Sequence, residues 1–295
     1  MKTFVRSLLQ RFPVLRLVLP QRLVFCNMVP LAMNLRFLAH WRQCRSAFRP
    51  DHPGRLSPEV QAAVRRLRID GFTVFPPPRD LSLTEAVASR VSALVKAGET
   101  VVDHTAEDWM VQVRDSMAAV PDAVRLLQPE IASTIEDYYQ SHFKIYCAEI
   151  YRLTVTDQAP RLSSLWHIDN YPPGMLKVFI YLTDCDRKTG ALRLLPRNLS
   201  RRLFRQGFFD RHCAERFVEQ LERDGFPVEG KAGTVIVWDQ NLIHRAKAPE
   251  YGFRDAVSIK VLPSREFWGR HAARMGSALS YERRDRQYPK DPAVD

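Results

Sequence analysis

Residues 166–182 read WHIDNYPPGMLKVFIYL, and this stretch is the most informative part of the sequence for the fold. Its apolar run Leu176–Leu182 is rich in β-branched and aromatic side chains, follows a Pro-Pro-Gly turn and predicts a buried strand. His167 and Asp169 lie just before that strand. Because residues i and i+2 of an extended chain point to the same side, both side chains can reach one ion. The stretch therefore predicts a pair of metal ligands at the start of a buried strand.

Further strand-like segments occur on both sides of this stretch. Each is short, apolar and followed by turn residues: Phe72–Phe75, Ile145–Val155, Ala191–Leu195, Thr234–Trp238 and Ala256–Leu262. Helical periodicity predicts helices that begin after Ser57 and over Leu81–Ala97 and Pro121–His142. We therefore expect a mainly β protein with flanking helices, whose strands form a closed or sandwiched core such as a jelly roll.

A third candidate ligand, His244, follows the strand Thr234–Trp238 after a short connection. Two imidazoles and one carboxylate on one face of an octahedron leave coordination positions for a co-substrate and O2, and this ligand set suits Fe(II). An HxD triplet alone also occurs by chance, as a surface histidine beside a turn aspartate. Because His244 also lies at the end of a strand, a metal site is favoured over this chance occurrence.

Arg254 begins the strand that follows His244, and this position directs its side chain into the barrel. A buried guanidinium needs an anionic partner, and its planar fork matches a carboxylate. The alternative is a surface arginine paired with Glu250 or Asp255. Three other candidates for binding the co-substrate or the substrate are Ser258, Lys177 and Tyr151, although core packing also explains Lys177 and Tyr151. Asn170 is a candidate hydrogen-bond partner behind the metal ligands.

Three stretches resemble the phytanoyl-CoA dioxygenase superfamily: residues 166–198 (WHIDNYPPGMLKVFIYLTDCDRKTGALRLLPRN), 233–262 (GTVIVWDQNLIHRAKAPEYGFRDAVSIKVL) and 56–75 (LSPEVQAAVRRLRIDGFTVF). The resemblance implies a double-stranded β-helix (cupin-like jelly roll) and a dioxygenase that uses Fe(II), 2-oxoglutarate and O2. It implies that His167, Asp169 and His244 bind iron and that Arg254 binds the distal carboxylate of 2-oxoglutarate. The presence of Asp169 favours hydroxylation over halogenation. The alternative is a catalytically inactive binding protein with the same fold.

Positive charge is concentrated at the N-terminus. The chain has a net charge of +11, and residues 1–50 carry nine Lys/Arg and no Asp or Glu. These cations alternate with apolar side chains, and Pro13, Pro20 and Pro30 divide the segment, which is typical of a segment that lies on an anionic membrane surface. Two alternatives are a helical extension packed on the body and a mitochondrial transit peptide. The body is nearly neutral and has no nucleic-acid module, so we expect no nucleic-acid partner.

We divide the chain into a basic, apolar segment 1–50, an oxygenase domain 51–263 with a helical insertion at 198–229, and a basic tail 264–295. The insertion is a candidate lid that contains five arginines: Arg201, Arg202, Arg205, Arg211 and Arg216. With the N-terminal segment it suggests an anionic small-molecule substrate at a membrane, such as a lipopolysaccharide sugar (Kdo) or an acyl chain. Five scattered cysteines without a paired motif predict reduced thiols and a cytoplasmic protein, peripheral on the inner face of the membrane.

Overall fold

The computed structural model describes residues 25–48, 56–102, 109–157, 159, 162–209 and 211–281. Within them, ten strands form two antiparallel sheets, and helices cover the outer face of the larger sheet. This is the mainly β fold with flanking helices that the sequence predicts. The strands are β1 (Phe72–Phe75), β2 (Thr100–Val102), β3 (Met110–Val113), β4 (His142–Thr154), β5 (Leu176–Tyr181), β6 (Arg193–Leu194), β7 (Phe226–Pro227), β8 (Val235–Asp239), β9 (His244–Arg245) and β10 (Phe253–Ser264).

The larger sheet has the strand order β1-β8-β5-β10-β4-β3-β2, and the smaller has the order β7-β6-β9. A bridge between His167 and His244 adds the HxD segment to the free side of β9. The two sheets therefore meet at the predicted metal ligands. All six predicted strands form, although β4 begins before its predicted start, β10 extends beyond both predicted ends and β6 is shorter than predicted.

Side-chain alternation gives the larger sheet two different faces. On β10, Val257 and Ile259 pack with the helices in the main core, whereas Ala256 packs toward the smaller sheet. On β5, Phe179 and Tyr181 lie on this second face. Successive side chains of a strand point to opposite faces, so β10 places Arg254 and Ser258 on the same side as Ala256. This alternation directs the polar residues of the site into the space between the sheets.

Eight α-helices complete the described part of the chain: α1 (Leu31–Ala47), α2 (Pro58–Ile69), α3 (Ser82–Lys96), α4 (Ser116–Ala119), α5 (Pro129–Tyr139), α6 (Arg197–Arg205), α7 (Val218–Asp224) and α8 (Trp268–Met275). The Ser57 side chain caps α2 by accepting a hydrogen bond from the Val60 amide. The single helix predicted over Pro121–His142 is wrong. A 3-10 helix (Pro121–Leu126) precedes α5, because Pro129 disfavours helical geometry at Gln128.

The described part of the N-terminal segment packs on the body through α1. Phe37 is fully buried against Met175 and Leu262, and the Trp41 indole donates a 2.8 Å hydrogen bond to the Tyr139 carbonyl. Gly174 has a φ of +78°, and a Cβ at this position would lie 2.8 Å from the Trp41 ring. This is the packed extension considered above, whereas residues 1–24 lie outside the described residues. Among the described helices, none is long and apolar enough to cross a membrane.

The insertion and the tail also pack on the body. The segment 198–229 contains most of α6, a 3-10 helix (Arg211–Phe217), α7 and β7, and its apolar side chains surround Trp166 and Ile168. Residues 264–281, which we expected to be a basic tail, instead contain α8, whose Trp268 stacks on Phe143 at a centroid distance of 5.9 Å. Residues 282–295 lie outside the described residues.

Candidate metal and co-substrate site

The structure brings His167, Asp169 and His244 together between the sheets, as the sequence predicts. Their ligand atoms all lie within 4.8 Å of one another. The Oδ1 atom of Asp169 is 3.6 Å from Nε2 of His167 and 3.5 Å from Nε2 of His244. The two histidine backbones exchange hydrogen bonds of 2.9 Å, which positions the rings side by side. This arrangement of two imidazoles and one carboxylate can hold a divalent metal ion.

Each histidine is oriented by a carbonyl of its own strand. Nδ1 of His167 lies 2.8 Å from the Leu165 carbonyl, and Nδ1 of His244 lies 2.9 Å from the Leu242 carbonyl. Such contacts place the proton on Nδ1 and leave the Nε2 lone pair free for a metal. Burial, followed by the neighbouring His244, lowers the pKa of His167, which favours the neutral imidazole that a metal needs.

Lys177 forms an ion pair with the carboxylate ligand. Its Nζ lies 2.6 Å from Oδ2 of Asp169, so Oδ1 faces the two imidazoles. Burial alone would raise the pKa of Asp169, but the Lys177 ammonium holds this pKa well below its usual value. Asp169 is therefore ionised at neutral pH and ready to bind a cation. Lys177, a candidate for co-substrate binding, instead contacts the metal-ligand carboxylate and lines the same cavity.

Arg254 is fully buried and lines the same cavity. Its Nη1 donates to the Gly190 carbonyl, while Nε and Nη2 have no hydrogen-bond partner among the described residues. The carboxylates considered as surface partners are bound elsewhere: Asp255 pairs with Arg152 at 2.6 Å and Glu250 with Lys247 at 2.7 Å. A buried guanidinium with two free donors fits the distal carboxylate of 2-oxoglutarate.

The cavity that connects the three ligands and Arg254 has a volume of about 140 Å³. Tyr151 lines it, as predicted for a residue in contact with co-substrate or substrate. Ser258 is buried beneath the cavity and donates a 3.1 Å hydrogen bond to Glu149. Asn170 accepts a 3.0 Å hydrogen bond from the Met28 amide, so it connects the metal loop to the N-terminal segment. Neither Ser258 nor Asn170 is among the described residues that line the cavity.

Among the lining residues that the sequence did not single out are Met110, Gln112, Glu149 and Ser163. Glu149 lies two residues before Tyr151 on β4, so alternation from Tyr151 would have identified it. Met110 and Gln112 belong to β3, a strand of only four residues that was not predicted. Ser163 lies in a 3-10 turn, whose position depends on the tertiary structure.

The fold matches that of solved non-haem enzymes. One match is the epimerase SnoN in complex with Fe3+, alpha ketoglutarate and nogalamycin RO (TM-score 0.56, 19% identity, 70% of this chain and 84% of SnoN covered). Another is HygX from Streptomyces hygroscopicus with nickel, 2-oxoglutarate and hygromycin B (TM-score 0.52, 19% identity, 72% and 89% covered). A third is EctD from S. alaskensis with bound Fe (TM-score 0.50, 17% identity, 73% and 79% covered). These structures share the jelly-roll fold.

Sequence comparison assigns the family. Among curated proteins, none matches the chain significantly. Residues 60–249, well over half of the chain, match the phytanoyl-CoA dioxygenase (PhyH) family, and this range contains the three candidate ligands and most of the cavity lining. The resemblance seen in the sequence and the fold seen in the structure agree with this assignment. The chain therefore belongs to the phytanoyl-CoA dioxygenase family of iron- and 2-oxoglutarate-dependent enzymes.

Proposed function

We propose that the protein is an Fe(II)- and 2-oxoglutarate-dependent hydroxylase in which His167, Asp169 and His244 hold the iron. The observation that carries this proposal is the pairing of two features in one cavity. The three ligand side chains line this cavity together with Arg254, which is fully buried and has two donors without a partner among the described residues. A dicarboxylate that binds the metal through one end and Arg254 through the other satisfies both.

The residues of the chain prepare the site for this chemistry. When bound, Fe(II) with 2-oxoglutarate and O2 supplies the oxidising power needed to hydroxylate an unactivated carbon. Lys177 keeps Asp169 ionised, and the Leu165 and Leu242 carbonyls orient the imidazoles. Tyr151 and Phe179 lie under the Arg254 guanidinium, at 5.9 and 5.4 Å, and exclude water from its charge. A dry cavity strengthens each of these electrostatic interactions.

For the substrate, we propose an anionic small molecule presented at a membrane surface, a lipopolysaccharide sugar such as Kdo or an acyl chain. The N-terminal segment supports this location. The outer side of residues 25–48 exposes Met28, Leu31 and Leu35, which are 52%, 47% and 52% exposed. Exposed apolar side chains next to basic residues are typical of segments that bind anionic lipid. The fold also occurs in SnoN, described as an epimerase, so the product must be identified to establish hydroxylation.

Replacement of the ligands tests the metal assignment. We expect His167→Ala, Asp169→Ala and His244→Ala each to abolish Fe(II) retention and the conversion of 2-oxoglutarate to succinate, because each removes one of the three protein ligands. Iron content after anaerobic loading and succinate yield are the measurements. Asp122→Ala, whose side chain is 57% exposed on the surface, serves as the matched acidic control and should leave both unchanged.

The same measurements separate the proposal from its alternative. An inactive jelly-roll binding protein would form no succinate even in the wild type. Near-wild-type succinate formation by any one of the three ligand variants would contradict the assignment of that residue.

A further inference from the structure

The inner cavity contains a second set of polar groups, distinct from the metal ligands and Arg254. Gln112 is only 5% exposed, and its Nε2 has no hydrogen-bond partner among the described residues. The Ser163 hydroxyl oxygen is also buried and unpartnered. A buried polar group without a partner costs about 1–3 kcal/mol, so such groups in a cavity mark the place where a ligand binds.

Glu149 adds a carboxylate to this set. Its Oε1 atom accepts a hydrogen bond from Ser258 at 3.1 Å and lies 3.5 Å from Nζ of Lys260. Both contacts use Oε1, and Glu149 lines the cavity. Gln112 can thus donate a hydrogen bond to a ligand, Glu149 can accept one, and the Ser163 hydroxyl can do either.

The position of this set separates it from the co-substrate. Gln112 lies opposite Tyr151 on β4, and Tyr151 lies opposite Ala256, so Gln112 is two strands from the strand of Arg254. If the proposed function holds, the metal and Arg254 account for both carboxylates of 2-oxoglutarate. The remaining polar groups therefore face the substrate.

The cavity opens toward a wider groove of about 440 Å³, which has room for the rest of a substrate. Ala246 lines both spaces, and Ser163 in the cavity is followed by Ser164 in the groove. Within the groove, Arg245 contacts Glu222 at 2.9 Å and Lys247 contacts Glu250 at 2.7 Å.

We infer that Gln112, Glu149 and Ser163 select a polyhydroxylated, sugar-like substrate, and this inference rests on the proposed function. Glu149 accepts a hydrogen bond from one hydroxyl group, and Gln112 donates to the oxygen of a neighbouring one. An acyl chain would leave the Gln112 amide and the Ser163 hydroxyl buried without a partner among the described residues. Sites that hydrogen-bond a substrate hydroxyl strongly reject analogues that lack it. Of the two substrate classes considered above, the cavity therefore selects the sugar.

The test is anaerobic calorimetric titration of the full-length protein loaded with Fe(II) and 2-oxoglutarate. The probes are D-mannose, D-glucosamine and Kdo on one side and octanoyl-CoA on the other. We expect at least one sugar to bind more tightly than octanoyl-CoA. Gln112→Leu, which keeps the volume but removes the amide, should lower the affinity for that sugar by at least about tenfold. Gln206 is exposed and lies outside the cavity, so Gln206→Leu is the matched control and should bind the sugar with wild-type affinity.

Far-UV circular dichroism of Gln112→Leu should match that of the wild type, which shows that the variant folds. Preference for octanoyl-CoA, failure of all three sugars to bind, or wild-type sugar affinity in Gln112→Leu would each overturn the inference. A wild-type protein that takes up neither iron nor 2-oxoglutarate would overturn the proposed function itself, and this is already visible at the loading step.

Discussion

At the residue scale, the site depends on how a few side chains divide their hydrogen-bonding capacity. Lys177 and the two imidazoles approach different oxygens of Asp169, so this single carboxylate interacts with both a lysine and the ligand set. Arg254 uses Nη1 for the Gly190 carbonyl and keeps Nε and Nη2 unpaired. In both cases the protein satisfies one side of a charged group and leaves the other for a ligand.

Arg254→Met should weaken 2-oxoglutarate binding, because methionine fills much of the same volume but donates no hydrogen bond. Removing one partner of a buried charged pair costs about 2–5 kcal/mol, so we expect a loss of affinity within that range. Titration of 2-oxoglutarate into the iron-loaded protein measures it. Arg187→Met, at a side chain that is 77% exposed, should have no effect. Unchanged affinity in a folded Arg254→Met protein would show that the co-substrate binds elsewhere.

At the scale of elements, α1 behaves as part of the domain although most of the preceding residues lie outside the described chain. Its inner side buries Phe37 with Met175 and Leu262, close to the loop that carries the metal ligands. Asn170, which directly follows the ligand Asp169, accepts a hydrogen bond from the Met28 amide. The outer side exposes Leu31 and Leu35. The same helix therefore packs on the core and presents an apolar surface.

Phe37→Ala should lower the free energy of unfolding by about 3–5 kcal/mol, because it leaves a cavity beneath α1. Leu35→Ala lies on the same helix but is 52% exposed, and we expect a change within about 0.5 kcal/mol. Urea denaturation of both variants, followed by circular dichroism, compares the two positions. Equal effects at Phe37 and Leu35 would mean that α1 is not docked on the sheet in solution.

At the scale of the whole molecule, the cluster of basic residues at the N-terminus is separate in the sequence from the residues of the candidate site. Residues 1–24 carry five cations, Lys2, Arg6, Arg11, Arg16 and Arg22, and no acidic residue. In the cavity, by contrast, two carboxylates each have a lysine partner: Lys177 faces Asp169, and Lys260 faces Glu149. A protein of this design can bind an anionic surface with one part while the other part binds a substrate by hydrogen bonds.

Deletion of residues 1–24 should abolish binding to anionic vesicles and leave iron and 2-oxoglutarate binding intact. Each basic residue near such a surface contributes about 1 kcal/mol, and salt screens this part of the attraction. Co-sedimentation with phosphatidylserine-containing and neutral phosphatidylcholine vesicles is the measurement. The shorter deletion is preferable to removal of residues 1–48, which would also expose the core beneath α1. Equal binding to both vesicle types, or to neither, would contradict the electrostatic attachment.

The sequence alone predicted six of the ten described strands and the three candidate ligands, because these depend on local pattern. Buried strands are apolar runs, and an HxD pair on an extended chain directs both side chains to one side. The family resemblance connected these residues to iron and 2-oxoglutarate, and the family match and the fold confirm that class. The division of Pro121–His142 into two helices was missed, although Pro129 was the local signal.

The polar groups that share the cavity could be identified only from the tertiary structure. Gln112 reaches it from β3, which pairs with β4, and Ser163 reaches it from a turn next to the smaller sheet. Tertiary packing also decided that Ser258 contacts Glu149 rather than the cavity, and that α1 lies against the sheet. Strand pairing and helix docking join residues that are far apart in the chain, and no local periodicity encodes those distances.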